Sequence, residues 1–264
     1  MPPLANLVGL TSAAFWGKEG TMSENQQDVS RPTVVLVHGA FAESASWNDV
    51  MRRLQAQGYT AVGAANPLRS VSGDAEFVAS ILDSIEGPIV LVGHSYGGTV
   101  ITNAARGKDN VKALVFVGAF ALEEGESTAE LSGRFPGSTL GETLMTVPLS
   151  DGSTDLYIRQ EEYHQQFAAD VPAEQAALMA AAQRPIRDVA LNEGSGTSAW
   201  RSIPSWFVFG ELDKNVPVAA HRFMAERAGG REVVEIEGAS HAVAVSRPGA
   251  VADLIDDAAR APAG

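Results

Sequence analysis

Ile89-Val90-Leu91-Val92-Gly93-His94-Ser95-Tyr96-Gly97-Gly98 runs four apolar residues into a Gly-x-Ser-x-Gly turn. An uninterrupted, β-branched apolar run of this kind reads as a strand buried on both faces. Residues 96–106, directly after it, have helical periodicity. A sharp turn from a buried strand into a helix strains the central residue, here Ser95, and projects its hydroxyl out of the sheet. Gly93 and Gly97 lack a Cβ, so strand and helix can pass close to each other around it. The new helix aims its first N–H groups and its positive dipole end at whatever sits over Ser95. A glycine-rich connection without chemistry is the competing reading. The strand before the serine and the helix after it favour the first.

Counting this one at 88–92, apolar runs recur at residues 33–38, 59–65, 113–117, 206–209 and 232–236. Helical patterns separate them at 44–57, 73–85, 96–106, 217–228 and 247–260. Strand–helix alternation predicts an α/β fold, with a parallel sheet, helices on both faces and right-handed crossovers. Residues 121–204 break the rhythm: no strong strand, many Gly, Ser and Pro, and two helical stretches near 161–169 and 172–183. An excursion this long is not a plain loop. It predicts a small helical cap at 121–203, inserted into a core made of 31–120 and 204–264.

Residues 1–30 differ from the rest, with a mildly apolar stretch at 4–16 and a polar run at 23–30. A secretory signal needs positive charge ahead of the apolar stretch, and none precedes Lys18. Leu4, Leu7, Val8, Thr11, Ala14 and Phe15 fit one face of a short amphipathic helix. A third reading is a non-native translated leader with Met22 as the natural start. The stretch from Gly17 to Thr21 can be encoded by purine-rich codons resembling a bacterial ribosome-binding site. Neither of the last two readings gives the segment any chemistry.

A serine hydroxyl needs a base to become a nucleophile. Of five histidines, His241 sits in Gly238-Ala239-Ser240-His241-Ala242-Val243, a loop after the last strand and before the final helix. That puts it at the same sheet edge as Ser95. His94 is on a turn that aims it elsewhere, and His38 ends the first strand. His164 and His221 fall within helical patterns and read as surface or interface residues. An orienting carboxylate completes such a set, and Asp213, in the loop before Pro217, is the candidate. Glu211 is its rival two residues earlier, and Glu123 and Glu124 follow. Two backbone donors for an oxyanion are expected from Tyr96, just after the serine, and from Ala40, in His38-Gly39-Ala40-Phe41 after the first strand.

The 264 residues carry 19 Lys+Arg against 32 Asp+Glu, a formal charge of −13. That sign argues against a phosphate-backbone binder and against anionic lipid surfaces. No cysteine is present. This removes disulfides, thiolate zinc sites, iron–sulfur clusters and a Cys nucleophile. No apolar run reaches the roughly 18 residues of a membrane span. The expectation is a cytoplasmic monomer or homodimer that needs no metal or cofactor and takes a small-molecule partner.

Together, HGAF, GHSYGG, GELDKNVP and GASHAV, in that order, resemble the α/β-hydrolase superfamily from Pro32 to the C-terminus. The resemblance implies the α/β-hydrolase fold with about six mainly parallel strands, as in the plant methylesterase and hydroxynitrile lyase branch. In that branch lyases carry Thr where Gly39 stands and Lys where Ala242 stands, so the chain is similar to the esterases. Ser95 excludes the Asp-nucleophile chemistry of dehalogenases and epoxide hydrolases. The implied reaction is hydrolysis of a small or medium uncharged carboxylic ester through an acyl-enzyme on Ser95. A lactonase or C–C hydrolase, a perhydrolase side activity and a non-enzymatic ligand receptor are the alternatives. Candidate pocket residues are Phe41, Phe120, Tyr157, Tyr163, Phe167 and Val243, for each of which plain packing competes.

Overall fold

The computed structural model describes residues 31–262, so the readings made for residues 1–30 lie outside the described residues. The chain opens with β1 (Thr33–Val37), a 3-10 turn at Ser44–Trp47, α1 (Asn48–Ala56), β2 (Ala61–Ala64) and α2 (Val71–Asp83). β3 (Ile89–His94), α3 (Tyr96–Ala104) and β4 (Val111–Val117) follow. The long interval then holds α4 (Thr128–Arg134), α5 (Leu140–Thr143), β5 (Leu144–Pro148), β6 (Thr154–Ile158), α6 (Gln160–Phe167), α7 (Ala173–Ala182), β7 (Ile186–Arg187) and α8 (Asp188–Asn192). The chain returns with β8 (Ser205–Gly210), α9 (Val218–Arg227), β9 (Glu232–Ile236), α10 (Val243–Ser246) and α11 (Pro248–Arg260).

Six strands form one sheet in the order β2-β1-β3-β4-β8-β9, and every pairing in it is parallel. The period-2 geometry of a strand divides its apolar residues between two cores. Val35, Val37, Leu91, Leu114, Phe116, Phe207 and Phe209 face α2, α3 and α9. Val34, Leu36, Val90, Val92, Val115, Val117, Trp206 and Val208 face α1, α10 and α11. This two-sided burial explains why the central strands have no polar alternation. β9 departs from that pattern: it is an edge strand whose glutamates lie at the surface, with Val233 46% exposed.

The insertion differs from a purely helical cap. β5, β6 and β7 pair as a three-stranded antiparallel sheet. Both expected helices are present, as α6 and α7. α4 starts at a capping sequence, where the Ser127 side chain accepts from Glu130 N at 3.2 Å. The sequence does not signal this small sheet, because β5 and β6 are five residues each and only partly buried. They therefore carry no sustained apolar run.

Candidate active site

Two loops meet where the strand order reverses, since β1 is followed by β2 on one side and by β3 on the other. Such a switch point leaves a crevice at the carboxyl ends of the strands. Ser95 occupies the turn between β3 and α3 with φ 54° and ψ −125°. A left-handed φ costs a non-glycine residue roughly 1–3 kcal/mol, and it holds only if the surroundings over-determine it. Here Ser95 N donates to Val117 O at 3.3 Å, and Ser95 O accepts from Gly98 N at 3.0 Å and Phe120 N at 3.1 Å. The loop after β1 lies directly against this turn. A Cβ on Gly39 would stand 2.6 Å from both His94 O and Ser95 Cβ, and 3.2 Å from Tyr96 N.

Ser95, Tyr96, Ala40, Phe41 and Phe120 share the wall of one cavity of about 220 Å3. The rest of that wall is mainly apolar, with Leu140 and Leu144 from the insertion, Leu191 from α8 and Val216 from the loop after β8.

Behind the wall, Asp213 Oδ2 accepts from His241 Nδ1 at 2.6 Å, and both side chains are fully buried. Asp213 Oδ1 accepts from Asn215 N at 2.8 Å and Val216 N at 2.9 Å. Burial alone would push this carboxyl up. The charge and hydrogen bonds of His241 and His221 outweigh burial and hold it well below the usual carboxylate range. His241 Nε2 is buried and makes no hydrogen bond among the described residues, Ser95 Oγ included. His94 turns away from the cavity and is bonded through Nε2 to His241 O at 3.0 Å, its ring 4.7 Å from the His241 ring. Burial, helped by His241, lowers its pKa to about 3. It therefore braces the His241 backbone as a neutral ring. The rival carboxylates are elsewhere. Glu211 is exposed and accepts from Gly238 N, and Glu123 pairs with Arg201.

Four of the six expected pocket residues lie outside the wall of the Ser95 cavity. Tyr157 sits on β6 at a separate cavity with Met145 and Val147, because the antiparallel sheet turns it away from Ser95. Val243 is 0% exposed in the core under the opposite sheet face, as the first residue of α10. Tyr163 borders another cavity, and its hydroxyl donates to Phe41 O at 2.8 Å. Phe167 packs its ring edge-on to His241 at 4.9 Å and stacks on Tyr163. Tyr163 and Phe167 thus support the site from behind.

Sequence reasoning missed His221. It is 2% exposed, not superficial, and its Nε2 lies 3.0 Å from Asp213 Oδ2. The available signal was the inward stripe of α9, where Ala220, His221, Met224 and Ala225 are all buried.

A profile of the Alpha/beta hydrolase family matches residues 34–254. The chain belongs to that family. Esterase PIR7B of Oryza sativa subsp. japonica is 28% identical, covering 86% of this chain and 95% of its own. A pyrethroid hydrolase of Sphingobium wenxiniae is 29% identical, covering 87% and 88%. The crystal structure of polyneuridine aldehyde esterase superposes with a TM-score of 0.74 at 20% identity, covering 86% of this chain and 99% of that one. This family member is a hydrolase, with esterases among its relatives along most of its length.

Proposed function

We propose that this hydrolase is a serine esterase that cleaves a small or medium uncharged carboxylic ester through an acyl-enzyme. The observation that carries the reading is the buried Asp213–His241 pair at 2.6 Å, taken with a serine held at φ 54° in a cavity wall. His241 Nδ1–H donates to Asp213, which fixes the tautomer and leaves Nε2 as the acceptor. Nε2 takes the Ser95 proton as the hydroxyl oxygen attacks the ester carbonyl. The N–H groups of Ala40 and Tyr96 receive the tetrahedral oxyanion. One such donor is typically worth about 3 kcal/mol of barrier. The imidazolium then protonates the departing alcohol. A water, deprotonated by the same Nε2, releases the acid and restores Ser95.

The mainly apolar cavity supports an uncharged substrate. Its size, about 220 Å3, falls below the ~300–1,000 Å3 of pockets for drug-sized ligands. That size supports a short acyl chain. The test is fluorophosphonate labelling of the purified chain, followed by a p-nitrophenyl ester series of rising acyl length. Labelling at Ser95 and fastest turnover of short esters are expected, with Ser95→Ala losing both. Full turnover by Ser95→Ala overturns the mechanism. Labelling without turnover of any ester removes the esterase reading.

A further inference from the structure

We infer that His221 is a positioning residue for this site, a second imidazole that shares Asp213 Oδ2 with His241 and locks the carboxylate in place. The inference rests on the esterase reading above. Two imidazoles converge on one oxygen, His241 Nδ1 at 2.6 Å and His221 Nε2 at 3.0 Å. Two backbone N–H groups, those of Asn215 and Val216, take the other oxygen. A carboxylate offers about four lone-pair sites, so these four donors fill it and leave it one orientation. His221 is held in turn by stacking on Phe209, ring centres 4.7 Å apart and 11° from parallel. The charged and titratable groups facing this cluster are His94 on β3 and Glu235 on β9, the latter paired with Arg222 on α9.

His221 thus fixes the carboxylate that orients His241.

Imidazole 15N NMR of the wild-type protein tests the hydrogen bond without any variant. His221 is expected to carry its proton on Nε2. A proton on Nδ1 alone overturns the inference, because Nε2 could not then donate. Kinetics test the role. His221→Phe keeps a ring on Phe209 but removes the donor. It should lower kcat by roughly ten- to a hundredfold, the scale of a misplaced reacting group, with KM little changed. His221→Gln, which can still donate, should recover most of kcat. A folded His221→Phe with wild-type kcat overturns the proposal. If His221→Phe does not fold, His221→Gln and the NMR decide. A Gln variant that folds but loses kcat as if the donor were absent also overturns it. Wild-type turnover and Ser95→Ala run alongside: inactive wild type sinks the esterase reading, while the tautomer answer stands independently.

Discussion

Gly39 has no room for a side chain, since its position lies 2.6 Å from two atoms of the Ser95 turn. Gly39→Ala must push apart the two loops that carry Ala40 and Tyr96. Overpacking of this kind costs about 1–3 kcal/mol of stability. Displacing one oxyanion donor costs about 10²–10³ in kcat. A p-nitrophenyl acetate assay alongside a thermal melt should therefore show a large kcat loss with a modest fall in Tm. Equal activity in wild type and variant would mean the Ala40 N–H plays no part. At this scale the sequence was informative where chemistry depends on local chain order: strand, turn, serine, helix. It was silent where contacts are non-local. The stripe Ala220, His221, Met224 and Ala225 on α9 could show that His221 turns inward, but not that it reaches the carboxylate of Asp213 across the intervening loop.

The six parallel strands were legible because each is buried on both faces and so keeps an apolar run. β5 and β6 were not, because a half-exposed five-residue strand carries little period-2 signal. That small sheet is why Tyr157 leaves the pocket. The insertion also reaches the loop after β1. Phe41, at φ 60°, donates its N–H to Arg184 O at 3.0 Å and accepts from the Tyr163 hydroxyl at 2.8 Å. Tyr163→Phe removes one of these restraints and keeps the ring on Phe167. A buried hydrogen bond is worth about 0.5–1.5 kcal/mol net, and denaturant unfolding should lose about that much. kcat should fall several-fold as Phe41 relaxes from its left-handed conformation. An unchanged kcat with the stability loss alone would confine Tyr163 to packing.

Across the whole molecule, two buried histidines make stability depend on pH. Burial lowers His38 to about 4, against the smaller upward pull of its bond to Gly39 O, and His94 to about 3. Both start from about 6.5 in the unfolded chain. Between those values the unfolded state binds protons that the folded state does not, so stability falls as pH drops below 6.5. At pH 5 the loss relative to pH 7 should be about 2 kcal/mol for each, read from urea midpoints. Asp213 acts in a lower window. Its depressed folded-state value gives stability present above the unfolded carboxylate range, lost only as pH falls through the folded value. A urea midpoint that stays flat from pH 7 to 5 would show that His38 and His94 are hydrated.

The grip of the insertion on Phe41 limits how such a protein can diverge. Leu140, Leu144 and Leu191 face the cavity and can change one at a time to suit a new substrate. Replacing the segment wholesale would remove Arg184 and Tyr163 with it and release the loop that carries Ala40. Point changes within the insertion leave that clamp intact, whereas a transplanted insertion would have to bring its own.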